Sequence, residues 1–482
     1  MTLGDDPVLR RLDAFPYQKR VGDVMSRPLV TIGPDRPLAE AATLLSDRKI
    51  SAVVALDDGG RPRGILTERD LTRAVGIEGA GALSSPVGQV MSSPVATVGP
   101  DDFVYVAIGR LDRLGLRHLV VVDGDGRAVG MVTTRALLHQ RAGTALVLGD
   151  EIEAATDGEG LAAARRRLPE LAEGLLAEGL FALDVATVTS AVLRDLTRKA
   201  TELAVAAMAV ESWGTAPAAW AMLVLGSGGR GESLLGADQD NALVHLGGEA
   251  EDGWFAELGR RVADTLDHAG IPYCLGGVMA REPAWRHTLA GWEDVIRRWA
   301  RAASPTDVLA ADIFFDFAGV AGDAALADRL RSLAMGEVGA SPLLIQHLAS
   351  DLSRTQAPLR LLGGLRTEEG RVDVKLPGLL PVVGAARALA LRHGIAATST
   401  RQRLRALEQA GALPEADREL LEEAQRFLME LVLEQQVLDI RAGQAPGNKV
   451  EVGRLDRRRQ RRLKQVLKEV EGFAQATGRG LV

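Results

Sequence analysis

Apolar and polar positions change period several times along the chain, and each change predicts a different element. Short apolar runs, LVTI, SAVVALD and GILT, then VATV, HLVVVD and GMVT, read as strands bounded by Gly, Asp and Pro. Between them LAEAATLLSDRK and VYVAIGRLDRLG carry apolar residues at i, i+3, i+4 spacing and read as helices. Residues 144–212 keep that helical period with Pro169 among the few breakers, and predict a helical linker without visible chemistry. Ala221 to Leu225 is a short apolar run, as expected of a buried strand, and DQDNALVHL leads into another. DGWFAELGRRVADTLDHAG predicts a helix, and DIFFDFAGVAGD reads as an apolar strand. From 336 to 482, apolar stripes alternate with charged faces, which predicts a helical domain. The pattern as a whole is α+β and multidomain, with boundaries at 18–141, 144–212, 213–335 and 336–482.

The first region is an internal repeat. VGDVMSRPLVTIGPD from Val21 recurs as VGQVMSSPVATVGPD from Val87, and GILTERDL from Gly64 recurs as GMVTTRAL from Gly130. Both pairs are offset by 66 residues (87 − 21 and 130 − 64). The order of elements and the VMSxP and G-φ-φ-T motifs resemble a tandem pair of cystathionine-beta-synthase (CBS) domains. That resemblance implies adenosine-nucleotide binding (AMP or ATP) in clefts between the copies, and a homodimer formed through the pair. It implies a Ser or Thr after the G-φ-φ strand on phosphate or ribose, and an Asp three residues later on the ribose hydroxyls. Copy one has Thr67 and Asp70; copy two has Thr133, but Ala136 beside Arg135 where the carboxylate is expected. Thr67 and Asp70 have a second reading as an ordinary helix cap.

Candidate chemistry concentrates in Leu223–Val244, LVLGSGGRGESLLGADQDNALV. Glycines after a strand allow backbone N–H groups to approach a ligand, and a helix starting near Gly228 would favour phosphate. Asp238 and Asp240 are two apart in a segment continuing into Ala242–Val244, so a strand points both carboxylates to one face. Hard oxygens on one face suit Mg²⁺ bound together with phosphates. An acidic turn with a loose glycine loop is the other reading of the same residues.

G-S-x-x-R-x-E followed by D-x-D resembles the signature of the DNA polymerase beta-type nucleotidyltransferases. The wording is most similar to the group related to protein-PII uridylyltransferase, whose C-terminal substrate-binding domain LPGLLPVVGAARALAL and PGNKVEVGRLDRRRQRRLKQVLKEV also resemble. The resemblance implies a mixed sheet and in-line transfer of a nucleoside monophosphate from a nucleoside triphosphate (NTP) to a hydroxyl, such as a tyrosyl of a small signalling protein. It implies Gly226 and Ser227 on the triphosphate and two Mg²⁺ ions on Asp238, Asp240 and a third carboxylate. Asp316 is the choice for that carboxylate, as ligand or base, with Asp312 of the same strand parity as fallback. Relatives continue DFRPV after this position, whereas this chain has Ala318 where the Arg is expected; Arg230 and Arg281 are the candidates to compensate. Arg230 would offset charge on the triphosphate, or pair locally with Glu232. A binding-only nucleotide sensor and an enzyme acting on a small-molecule acceptor remain the alternatives.

Composition narrows the partners. With 482 residues and 46% apolar content the chain has material for about three domains of ~150 residues. A net charge of −7 argues against an obligate nucleic-acid partner. One cysteine, Cys274, excludes an intramolecular disulfide and a Cys-rich zinc site and fits a reducing compartment. Histidines 118, 245, 268, 287, 347 and 393 have no ligand spacing, so no zinc site is expected. No run reaches the length of a membrane span, and the N-terminus has no signal-peptide core, so a cytoplasmic protein without a membrane partner is expected. With so short a lead before the first repeat, the cyclic-nucleotide-binding domain that relatives often carry is not expected here. The basic run Arg454–Lys468 reads as a solvated helix face or a phosphate-facing patch, and Lys375 and Arg387 are open in the same way.

Overall fold

The computed structural model describes residues 19–48, 50–134, 137, 148–302, 304–339, 341–350, 352–360 and 364–481. The chain forms two compact units, Met1–Val147 and Leu148–Val482. The expected boundaries at 18, 141 and 144, and the positions Arg135 and Ala136, lie outside the described residues.

In the first unit each repeat makes a three-stranded sheet, with β1 (Thr31–Ile32), β2 (Ala52–Leu56) and β3 (Pro62–Thr67), then β4 (Thr97–Val98), β5 (His118–Val122) and β6 (Ala128–Thr133). The first strand of each repeat runs parallel to the second, and the third antiparallel. The helices Leu38–Arg48 and Val104–Leu114 lie where the i, i+3, i+4 pattern predicts them. The repeated motifs have a reciprocal physical meaning. A Cβ at Gly64 would fall 2.1 Å from Sδ of Met91, and one at Gly130 would fall 2.6 Å from Sδ of Met25. Each VMSxP methionine therefore occupies space that the other repeat leaves free by having glycine. Gly22 and Gly88 are matched the same way, approaching the carbonyls of Pro100 and Pro34.

The second unit is built on a four-stranded sheet in the order β10-β7-β8-β9, formed by β7 (Trp220–Val224), β8 (Asn241–His245), β9 (Arg286–Thr288) and β10 (Ala318–Gly322). Only the β8–β9 pairing is parallel. Ala221, Leu223, Leu225, Ala242 and Val244 join an aromatic core with Trp292, Trp299, Phe314 and Phe317. Trp292 donates its indole N–H to the Leu243 carbonyl at 3.0 Å, which satisfies the one polar atom of the largest buried side chain. The 144–212 stretch is more than a linker: its long helix Ala182–Val210 packs on the helix Asp252–His268 and on β7 and β10. Helices of the C-terminal part, Leu380–Arg392, Thr400–Gln409, Glu415–Arg441 and Arg457–Leu481, enclose a second core around Leu404, Leu428, Leu431 and Leu467. The last two strands of the chain, β11 (Arg371–Asp373) and β12 (Lys449–Glu451), pair antiparallel beside it.

DIFFDFAGVAGD departs from the strand expected of it. A helix, Pro305–Phe314, occupies its first part, and β10 begins only at Ala318. A continuous apolar run does not separate a buried helix from a buried strand, and the Ser304 cap, whose Oγ accepts from Asp307 N, starts the helix. No helix among the described residues is long and apolar enough to cross a membrane.

Candidate functional site

β7 delivers the chain into a tight glycine turn. Gly226 has φ +53°, and a Cβ there would lie 2.9 Å from Oδ2 of Asp240. A Cβ at Gly229 would lie 1.8 Å from the carbonyl oxygen of Asp316. Glycine is thus required by close approach at both positions. The helix here starts at Gly226 and is a single turn, Gly226–Arg230, so its dipole is much smaller than that of the longer helix expected from Gly228. The turn is held from outside: Arg194 donates to the carbonyls of Gly228 and Gly229 at 2.7 and 2.8 Å, and Ser190 Oγ accepts from Ser233 N at 2.7 Å. Both anchors come from the stretch that the sequence pattern left without chemistry.

Asp238 and Asp240 precede β8 rather than lie on it, yet their carboxylates converge. Ligand atoms of Asp238, Asp240 and Cys274 all lie within 4.8 Å of one another. Between the two, Gln239 points inward and donates to the carbonyls of Ala263 and Ile271, both at 2.9 Å, which pins the loop. Burial, and then the neighbouring charge of Asp238, push the Asp240 carboxyl up to about 6. Burial and Asp240 likewise push the Cys274 thiol up to about 11. Two carboxylates with no ion-pair partner among the described residues, facing a cavity, fit a hard divalent cation. Cys274 was missed as a neighbour because a lone cysteine in CLGGVM carries no spacing signal.

Asp316 does not join that cluster. It is 0% exposed, and its oxygens are taken by three guanidinium groups: Arg230 Nη1 at 2.6 Å, Arg403 Nη1 at 2.7 Å, and Arg387 through Nη2 at 2.6 Å and Nε at 3.1 Å. Burial alone would raise its pKa, but Arg387, Arg403 and Arg230 outweigh it and hold the carboxyl well below the usual range. Arg230 also pairs with Glu232 at 2.7 Å, and Arg387 with Asp312. Asp316 is thus fully engaged in this knot of guanidiniums and offers no free carboxylate to a metal, while its fallback Asp312 lines the cavity with one oxygen on Arg387 and stands outside the Asp238–Asp240 cluster. Ala318 brings no guanidinium here; those on Asp316 come instead from Arg230 and from the downstream Arg387 and Arg403, and Arg331 lies over the Phe317 ring at 4.0 Å. Arg281 takes no part, pairing instead with Asp264 at 3.2 Å.

The turn, the carboxylate pair and part of the knot line one cavity of about 270 Å³. Gly226, Ser227, Arg230, Asp238, Asp240 and Asp312 form one wall; Lys375, Leu379, Val383, Arg387, Gln425 and Met429 form the other. Glu232 ties the walls together by accepting from Thr400 N at 2.7 Å. Lys375 opens an irregular π-helical turn, Lys375–Leu379, and its charge acts on Asp240. No ion-pair partner for its ammonium is seen among the described residues. In the basic run near the C-terminus Arg454 pairs with Glu451, Arg459 with Glu430 and Glu434, and Arg462 with Glu423.

In the first unit a cleft of about 520 Å³ lies between the repeats, lined by Ser51, Glu68, His118 and Thr133 among others. Ser51 Oγ and His118 Nε2 meet across it at 3.0 Å. Thr67 and Asp70 are not among its lining residues and form a reciprocal helix cap, with Asp70 Oδ2 accepting from Thr67 N at 3.0 Å and Oγ1 at 2.7 Å. The cleft thus runs beside Thr133, in the repeat where the sequence lacked the carboxylate.

Fold and site together define a multidomain protein in which a paired-repeat module precedes, in the chain, a unit whose four-stranded sheet carries a glycine turn beside a carboxylate pair. Family models give the particular architecture: residues 21–77 and 87–143 match the CBS domain, residues 166–306 match "Putative nucleotidyltransferase DUF294", and residues 342–480 match "Putative nucleotidyltransferase substrate binding domain". The chain belongs to this DUF294 family and carries tandem CBS domains ahead of it. An uncharacterized protein of Methanopyrus kandleri is 34% identical over 119 residues, 25% of this chain and 61% of the relative. The L-aspartate semialdehyde sulfurtransferase of Methanosarcina acetivorans is 30% identical over 131 residues, 27% of this chain and 25% of the relative. The chain therefore spans less than two thirds of either relative. Among solved structures, a CBS domain protein from Pyrobaculum aerophilum complexed with AMP is 32% identical, covering 26% of this chain and 94% of that one with a TM-score of 0.24.

Proposed function

We propose that the second unit transfers a nucleoside monophosphate from an NTP to a hydroxyl acceptor, in the manner of the protein-PII uridylyltransferase-like enzymes, under control of the CBS pair. The observation that carries this reading is the convergence of Asp238 and Asp240 beside the Gly226–Ser227 turn, at a cavity that also receives Lys375. Asp238 and Asp240 would hold a divalent cation such as Mg²⁺, which when bound would offset charge on the phosphate oxygens. The donor set suits one such ion; among the described residues no third carboxylate joins the Asp238–Asp240 cluster to hold the second ion implied by the resemblance. Backbone N–H groups around Ser227 orient the triphosphate. Lys375, rather than the neutralised Arg230 and Arg387, supplies the free positive charge. The acceptor hydroxyl gives up its proton to solvent, its oxygen bonds to the α-phosphorus as the bond from that phosphorus to the α–β bridging oxygen breaks, and pyrophosphate leaves with that oxygen.

The cleft of about 520 Å³ is assigned to an adenosine nucleotide, with Thr133, His118 and Ser51 as the polar contacts, and the CBS pair to homodimer formation. The test is incubation with labelled NTPs, Mg²⁺ and a cell extract. Label transfer abolished by Asp240→Ala supports the enzyme; NTP binding without transfer to protein or small molecule sinks it in favour of a sensor. Adding AMP should change NTP affinity, and identical titrations with and without AMP would remove the regulatory part.

A further inference from the structure

Three buried glutamines sit on the helix Glu415–Arg441, and they differ in one respect. Gln435 donates to Asp439 Oδ1 at 2.8 Å and accepts from Glu451 N at 3.0 Å. Gln436 donates to the Gly447 carbonyl at 3.1 Å and accepts from Gly236 N at 3.3 Å. Gln425 is equally buried, 1% exposed, and lines the cavity, but its Oε1 has no hydrogen-bond partner. A buried acceptor left without a donor destabilises the protein that keeps it, so its place in a ligand cavity points to a donor that arrives with the ligand.

What surrounds Gln425 narrows that ligand. Met429 and Val432 follow at four and seven residues, on the same helix face, and Leu379 and Val383 complete an apolar lining. The same cavity also holds the Asp238–Asp240 pair and Lys375. It thus offers a cation-and-phosphate region and an apolar region with one unanswered acceptor. A nucleotide has the same division, with phosphates at one end and at the other a base with flat faces and N–H donors on its edge. We propose that Gln425 reads the nucleobase: its Oε1 accepts from a base N–H while Leu379, Val383, Met429 and Val432 pack against the ring. Base selection then belongs to the C-terminal helical part, and phosphate binding mainly to the sheet part. This inference rests on the nucleotidyltransferase reading above.

The experiment measures Mg²⁺-dependent binding of ATP, GTP, CTP, UTP and inorganic triphosphate to the full chain and to Gln425→Met, Gln425→Leu and Asp240→Ala. The wild type should prefer one base by about tenfold over another, the scale of one hydrogen bond. Both Gln425 variants should bind all four within about twofold of one another, keep the wild-type affinity for triphosphate, and melt no lower than wild type because an unsatisfied polar atom is gone. Methylating the donor N–H of the preferred NTP should weaken binding to the wild type and not to Gln425→Met. A base preference that survives both substitutions, or base-blind binding by the wild type that Asp240→Ala abolishes, overturns the role of Gln425 alone. No NTP binding by the wild type, or binding indifferent to Asp240→Ala, overturns the nucleotidyltransferase reading itself.

Discussion

The second unit holds two groups of aspartates that sequence reasoning placed in one catalytic set, and they have opposite electrostatics. Asp238 and Asp240 face a cavity close together, and burial with mutual repulsion pushes Asp240 up to about 6. Asp316 is fully buried, and the balance of three guanidiniums over burial pushes it the other way. A carboxylate left short of positive charge has affinity to spend on a cation; one already surrounded by it has none. The difference separates a binding site from a structural knot more sharply than the residue type does.

The comparison breaks first at its extremes. Asp240→Ala should lower transfer by roughly a thousandfold while the melting temperature stays near wild type, since a cation ligand is worth several kcal/mol to the reaction and little to the apo fold. Asp316→Asn should do the reverse in kind, costing about 3–5 kcal/mol of stability in denaturant unfolding because three buried guanidiniums lose their counter-ion. If Asp316→Asn instead folds normally and abolishes transfer, the knot is catalytic and the distinction fails. Lys375→Ala should weaken NTP binding by about ten- to a hundredfold, the worth of a charge-assisted hydrogen bond, and leave stability unchanged; calorimetric titration reads it.

The pH dependence sharpens the same contrast with a smaller effect. The folded Asp240 carboxyl titrates above its unfolded value, so without a cation the folded state holds a proton that the unfolded chain has already released. Stability from this group is therefore present at low pH and lost as pH rises from about 4 through about 6. A divalent cation competes with that proton, so the Mg²⁺-induced rise in melting temperature should be small at pH 5 and full by about pH 7.5. A Mg²⁺ effect independent of pH would mean that Asp240 is not the ligand. Asp316, with its pKa lowered, has the opposite sign: its stabilisation is present above the ordinary carboxylate range and declines on acidification below it.

What the chain disclosed in advance was local. The 66-residue repeat, the glycine turn and the Asp-x-Asp pair are patterns within one short stretch each, and period and turn chemistry are enough to place them. Asp316 was misplaced because its partners Arg387 and Arg403 are 71 and 87 residues downstream (387 − 316 and 403 − 316) and lie on helices that read as unremarkable amphipathic stripes. The apolar run before it hid a helix for another reason: exposed Leu309 is itself apolar, so no polar face marks the helical period there. Cys274 and Lys375 reach the site through an irregular turn and a π-helical turn, for which sequence offers no periodic signal. Gln425 sits among charged and apolar helix positions like any other, and only the missing partner in three dimensions sets it apart.

The methionine–glycine exchange between the two repeats carries a consequence for how such a module can change over time. Because Met25 fits Gly130 and Met91 fits Gly64, a larger residue at either glycine meets a sulfur contributed by the other repeat. A side chain at either glycine displaces a methionine of the other repeat, so a change in one half is felt in the other. Substitutions at these four positions are therefore expected in couples 105 or 27 positions apart (130 − 25 and 91 − 64).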